Sequence, residues 1–275
     1  MKISEWLNDA QAQLAAAGVA DAAIDARWMA EDTLGMSRTE LKFEGDRMLS
    51  PAQLSALNAM VRRRAAGEPV QYILQSADFM GLRFYVDNRA LIPRQDNETL
   101  AEAALVDVQR REKPAVLDLC AGSGCIGLSV KTLAPDARLT LADVSRDALE
   151  VARRNAHQLG VDAEFRHGDL FEAVGRAKFD VIVSNPPYIP HAELAGLQRE
   201  VQREPMLALD GGADGLDLYR RIAAGIGAHL NTGGSLYLEV GIGEAEAVRA
   251  MLPGRTGIIR DLNGIDRVVW MKEEG

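Results

Sequence analysis

The apolar positions of this chain change period once near residue 70 and again near residue 115. In the first 70 residues they recur at three- and four-residue intervals, as at Leu54, Leu57 and Val61, which paints one stripe on a helix. Ser37-Arg38-Thr39-Glu40 and Ser50-Pro51-Ala52-Gln53 have capping-box spacing, in which paired side chains satisfy orphan backbone donors. Pro51 stands at the first helical position, where its missing N–H costs nothing, and Gly67 is expected to stop that helix. Its Arg62-Arg63-Arg64 reads as a solvated helix end near the negative pole of the dipole. Residues 71–93 are richer in β-formers. Gln71-Tyr72-Ile73-Leu74 and Leu82-Arg83-Phe84-Tyr85-Val86, with Met80-Gly81 as a turn, predict a hairpin-like linker. A helix over about 96–110 then precedes Pro114.

From residue 115 strands and helices alternate. Strands are predicted over 115–119, 138–142, 163–167, 179–184 and 235–240, with helices over 125–133, 146–159 and 216–229 between them. Gly160 closes one helix, and Gly233-Gly234 reads as a turn before the strand at 235. Two last strands, 257–260 and 267–271, flank Asn263-Gly264, the signature of a short antiparallel turn. The expected architecture is α/β: a doubly wound, mostly parallel seven-stranded sheet over residues 94–275. A small all-helical domain, 1–70, and a β-hairpin linker, 71–93, precede it.

Composition narrows the function classes. Of 275 residues, 47% are hydrophobic and 26% charged, which excludes a disordered or fibrous chain. No apolar run reaches the ~18 residues a membrane span needs. Acids near the start, Glu5 and Asp9, argue against an export signal, and two cysteines are too few for a disulfide framework. A cytoplasmic protein is expected. The net charge of −9 argues against life on phosphate backbones, and residues 1–70 hold 8 Lys and Arg against 10 Asp and Glu.

The candidate chemistry lies at strand ends. Asp118-Leu119-Cys120-Ala121-Gly122-Ser123-Gly124 marks the first strand-to-helix turn, where a glycine-rich backbone can approach a ligand closely. Asp143 ends the second strand, where an acid can accept from both ribose hydroxyls of an adenosine-containing cofactor. Gly122 to Gly127 is also literally G-x-G-x-x-G, so the loop alone leaves NAD(H) and S-adenosylmethionine both open. After the third strand, Gly168-Asp169-Leu170-Phe171 fits a methyltransferase, with Asp169 accepting from an adenine amino group and Leu170 packing on its ring.

Asn185-Pro186-Pro187-Tyr188 follows the fourth strand. Two prolines remove two backbone donors, and the first forces Asn185 into an extended conformation beyond the strand end. The Asn185 amide oxygen and the Pro186 carbonyl can then accept from one planar –NH2 group, with Tyr188 as an aromatic wall. Such a turn suits methyl transfer to a poorly nucleophilic amide or exocyclic nitrogen. Residues 189–215 form a connection long enough to be functional, expected to cover the target nitrogen. The four histidines show no metal-ligand spacing, and Cys120 and Cys125 are too far apart for Cys-x-x-Cys, so no metal is expected.

Gly67-Glu68-Pro69-Val70-Gln71-Tyr72-Ile73, Leu91-Ile92-Pro93-Arg94, the glycine loop, Asn185–Tyr188, Glu204-Pro205 and Asp266-Arg267-Val268-Val269 together resemble the HemK/PrmC family over nearly the whole chain. These are protein-(glutamine-N5) methyltransferases of peptide chain release factors with a Rossmann-like catalytic domain. The resemblance implies S-adenosylmethionine as donor and the glutamine of a Gly-Gly-Gln motif as acceptor. It places the cofactor against Cys120, Ala121, Gly122, Ser123, Gly124, Asp143, Asp169, Leu170 and Asn185. Asn185, Pro186, Pro187 and Tyr188 would hold the glutamine, with neither nucleic acid nor membrane as a direct partner. Gln95 and Asn97 depart from the family's usual Ile-Pro-Arg-Pro-Asp-Thr-Glu, and Cys120 stands where glycine is frequent. Alternatives are a ribosomal-protein glutamine as acceptor, an adenine-N6 DNA methylase, and an NAD-dependent oxidoreductase.

Overall fold

Both capping boxes form. In the computed structural model, which describes residues 1–273, Glu40 N donates to Ser37 Oγ at 3.3 Å while Ser37 N donates back to the Glu40 carboxylate at 2.8 Å. Ser50 and Gln53 repeat the exchange at 3.2 and 3.0 Å. These boxes start α3 (Arg38–Phe43) and α4 (Pro51–Ala65), which follow α1 (Ile3–Ala16) and α2 (Ala22–Leu34). The apolar stripes meet in one core with Trp6, Leu14, Met29 and Leu57 fully buried, each contributing ~1.5–3 kcal/mol.

This helical unit comprises residues 1–75 together with 198–203. Two expectations fail inside it. Gln71-Tyr72-Ile73-Leu74 is helical, as α5 (Val70–Leu74), because Val70 and Ile73, one turn apart, both fill the helical core; burial overrides β-propensity. Arg64 is not solvated. It is 6% exposed, its Nε 2.6 Å from Asp25 Oδ2, and it also pairs with Glu200. A guanidinium leaves water only with such partners.

The second unit, 76–197 and 204 onward, begins with β1 (Ala77–Phe79) and β2 (Leu82–Phe84), an antiparallel hairpin. Phe79 and Phe84 meet edge to face and enter the core of this unit, so the hairpin is part of its packing rather than a free linker. Then come α6 (Asp96–Val108), β3 (Ala115–Leu119), α7 (Cys125–Leu133), β4 (Arg138–Asp143), α8 (Arg146–Leu159), β5 (Glu164–His167) and β6 (Phe179–Ser184). After the long connection follow α9 (Asp217–His229), β7 (Leu230–Glu239), α10 (Ala245–Met251), β8 (Arg255–Arg260) and β9 (Asp266–Lys272).

The seven strands run in the order β5-β4-β3-β6-β7-β9-β8, parallel as far as β7, with β9 antiparallel to both β7 and β8. This is the expected doubly wound sheet. Val116 faces one apolar core and Leu117 the other, so both faces are covered. Gly233-Gly234 is not a turn before a strand. Both glycines lie inside β7, which slips register against β6 between Phe179 and Val181. The helix α10 escaped the sequence reading. No helix among the described residues is long and apolar enough to cross a membrane.

Candidate active site

The order of strands fixes what can meet. Leu119, the last residue of β3, pairs with Ser184 of β6 on one side and Ala142 of β4 on the other. Ser184 Oγ also donates to the Leu119 carbonyl at 2.6 Å. The segments that follow these strands therefore leave the sheet along one edge, at the point where the winding reverses. They open onto a single cavity of ≈ 250 Å³, lined by 119–123, 142–145, Asp169, Leu170, Asn185 and Pro187. One water needs only ~10–15 Å³, so this space fits a cofactor-sized ligand.

Cys120, Ala121, Gly122, Ser123, Asp143, Asp169, Leu170, Asn185 and Pro187 all line the cavity. Gly124, Pro186 and Tyr188 do not. Gly124 (φ +78°) caps α7, and a Cβ there would lie 2.9 Å from the Leu128 side chain, so its glycine serves packing. Tyr188 was expected as an aromatic wall. Its ring packs on the core beneath the turn. Burial pushes its phenol up to about 12, with the Glu239 charge adding to the shift.

Asp143 is set by the glycine loop itself. Gly122 N donates to its Oδ2 at 2.8 Å and Ser145 N to its Oδ1 at 2.7 Å. Each oxygen keeps a further lone pair for a ligand hydroxyl. Burial raises this carboxyl, and the two backbone donors oppose the rise. Below it, Asp118 Oδ2 accepts from Gly127 N at 2.8 Å, and burial pushes that carboxyl up to about 7. A Cβ on Gly127 would stand 2.9 Å from Asp118 Cβ and 2.8 Å from Leu141 Cδ2. The third glycine of G-x-G-x-x-G thus lets α7 pack on the strands, which is independent of the ligand's identity.

Two lining residues are held in left-handed backbone without being glycine: Cys120 at φ +62° and Leu170 at φ +47°. Each costs of order 1–3 kcal/mol and persists where the surroundings over-determine it. Burial pushes both thiols up, that of Cys125 to about 12, so neither cysteine offers a thiolate. Asp169 lies 2.8 Å from Arg221 and so meets any ligand with one oxygen already paired.

Asn185, like Asp118, carries a buried carbonyl-type oxygen without a partner. Its Oδ1 is buried and accepts no hydrogen bond. An unpaired buried acceptor costs ~1–3 kcal/mol.

The other walls come from around the 91–94 stretch and from the long connection 189–215. Residues 89–93 and Asn97 line one side, and Pro205, Leu207, Ala208 and Asp210 another. Glu204 joins them: its carboxylate accepts from Ile92 N at 2.9 Å and pairs with Arg94. Asn97 is buried, accepting from Arg94 N at 2.9 Å and donating to Glu239. That is the place of one departure from the resembled family. His191 Nδ1 lies 2.8 Å from Asp210 Oδ2 outside the cavity lining.

Glu239, at the end of β7, thus takes a donor from Asn97 in a buried setting, and burial pushes its carboxyl from 4.5 to about 7. A raised folded-state value favours folding fully below pH 4.5, and that contribution is lost as pH rises through about 7. Glu239→Gln removes this titration. Its melting temperature should fall less than the wild type's across that window, and parallel profiles would contradict the assignment.

Comparison with known proteins follows the same division of the chain. A family model described as the PrmC N-terminal domain matches residues 5–74, and one described as a methyltransferase small domain matches 98–203. A release factor glutamine methyltransferase of Geobacter sulfurreducens is 44% identical over 98% of this chain and 94% of its own. One of Deinococcus radiodurans is 38% identical over 100% of both. In fold, a methyltransferase of Pyrococcus furiosus superposes with a TM-score of 0.54 at 16% identity, over 80% of this chain and 100% of that one.

Proposed function

The chain belongs to the family of release factor glutamine methyltransferases, and from that membership we propose how its own residues carry out the reaction. It is an S-adenosylmethionine-dependent enzyme that methylates a glutamine of a peptide chain release factor. In our reading the acceptor atom is the side-chain nitrogen, N5, of the glutamine in a Gly-Gly-Gln motif. The observation that carries this reading is Asn185 in the cavity lining with a buried Oδ1 for which the chain itself provides no donor.

When bound, S-adenosylmethionine supplies an electrophilic methyl group on a sulfonium. Asp143 would hold the ribose hydroxyls with its free lone pairs, Gly122 and its neighbours would pass close to the ligand, and Leu170 would pack on the adenine. Asp169 would meet the adenine amino group with the oxygen that Arg221 leaves. Asn185 Oδ1 takes one N–H of the glutamine amide and turns its nitrogen toward the cavity. An amide lone pair is delocalised into its carbonyl, so the rate comes from orientation and from charge stabilised at nitrogen. Accepting from N–H does both. The prolines at 186 and 187 stiffen the turn, and Tyr188, packed on the core beneath it, acts as a positioning residue. The nitrogen's N–C bond would form as the methyl group's bond to sulfur breaks, leaving a neutral thioether, and the nitrogen would then give up one N–H proton to solvent.

The helical unit we assign to recognition of the protein substrate, in the cytoplasm, without nucleic acid or membrane as a direct partner. Mass spectrometry of release factor after incubation with enzyme and S-adenosylmethionine tests the whole reading. The expected result is one added methyl group, fragmenting with the glutamine side chain. A release factor left unmodified while a ribosomal protein or adenine DNA is labelled would overturn it.

A further inference from the structure

A second, shallower groove lies beside the cavity and shares Leu207, Asp210, Leu218 and Arg221 with it, so the two are continuous. Met206 belongs to the groove alone. In this stretch Leu209 is buried at 5% exposure, whereas Met206 and Leu207 stand 53% and 57% exposed. Side chains of that size left in water beside a reaction site call for an occupant.

The geometry of a glutamine substrate supplies one. From its α-carbon to its amide nitrogen an extended glutamine reaches only roughly 5 Å. If that nitrogen meets Asn185, the substrate main chain must run along the cavity mouth, and the groove is the surface that continues from it. Its charged groups already have partners within the chain. Arg220 pairs with Asp214 at 2.5 Å and with Asp217 at 3.0 Å, Arg221 with Asp169, and Asp210 with His191. What the groove offers a partner is therefore apolar contact beside arginines that are already engaged, which suits a segment without acidic side chains.

The groove wall is also tied to the acceptor turn. Ile189 N donates to Leu209 O at 3.0 Å, Gly211 N to Ile189 O at 2.9 Å, and His191 N to Gly212 O at 2.8 Å. These three bonds register 209–212 against the residues that follow Asn185–Tyr188. A segment seated on this wall is aligned with the amide it carries into the cavity.

We propose that this groove holds the release-factor segment adjoining the methylated glutamine, with Met206 and Leu207 as its apolar contacts. The inference rests on the reading that the acceptor is a release-factor glutamine. Met206→Asp places a charge in the groove without touching the cavity lining. The expected outcome is a KM for intact release factor raised about tenfold, the cost of one lost apolar contact and a desolvated charge. Its kcat at saturation and its dissociation constant for S-adenosylmethionine should stay within about twofold of wild type, the ordinary scatter of independent sites. Met206→Ala should raise KM by a smaller factor. An unchanged KM in Met206→Asp, with wild type active on the release factor, overturns the groove alone. A wild type inactive on release factor overturns the reading of the acceptor, and the groove assignment with it.

Discussion

Asn185→Ala should retain cofactor affinity within a few-fold and lose most turnover, about 100- to 1000-fold in kcat, the usual effect of removing one preorganised partner of a reacting group. The substitution deletes the buried Oδ1 that accepts no bond from the protein. It therefore relieves an unsatisfied acceptor, and the folded protein should be no less stable. Loss of activity beside undiminished stability separates a group that serves the acceptor from one that serves the fold. Asn185→Asp is a useful companion, because a carboxylate still accepts from N–H but brings charge into a cavity that already holds Asp143 and Asp169. Calorimetry with S-adenosylmethionine and single-turnover methyl transfer read the two quantities independently. Weakened cofactor binding with full single-turnover rate would show that Asn185 has been given the wrong partner.

Asp143→Ala should reverse the pattern, weakening cofactor binding by about 10- to 100-fold, the worth of one or two hydrogen bonds to a charged group, while saturating cofactor restores much of kcat. It also orphans Gly122 N and Ser145 N, the two backbone donors this carboxylate gathers. Asp143→Asn keeps an acceptor for one of them and should fall between alanine and wild type. If Asp143→Ala binds S-adenosylmethionine as wild type does, the acid after β4 is a loop-shaping residue only.

Much of this was legible in the sequence because it depends on neighbours along the chain. A capping box needs residues three apart, an apolar strand bounded by turns announces itself, and Asp143 and Asn185 declared themselves by standing at strand ends. What stayed hidden depends on partners far away. Nothing local distinguishes Arg64 from Arg62, yet Asp25 and Glu200 draw only Arg64 into the interior. Glu239 reads as a polar residue ending a strand until α6 brings Asn97 against it. Tyr188 reads from the sequence as an aromatic wall for a planar –NH2 group, and its packing against an apolar core depends on distant partners. Cys120 stands where glycine is frequent, and its backbone takes the left-handed φ of +62° that glycine would favour.

The small ladder between 189–191 and 209–212 has an evolutionary consequence. A methyl group added at Gly211 would come within 2.7 Å of Tyr188 Cα, and one at Gly215 within 2.4 Å of the Tyr188 carbonyl. Mutations there cannot retune partner choice without also shifting the catalytic turn, so drift at those glycines is silenced. Divergence toward a different client protein has to proceed through exposed rim positions such as Met206, where a side chain can be exchanged and the chemistry left intact.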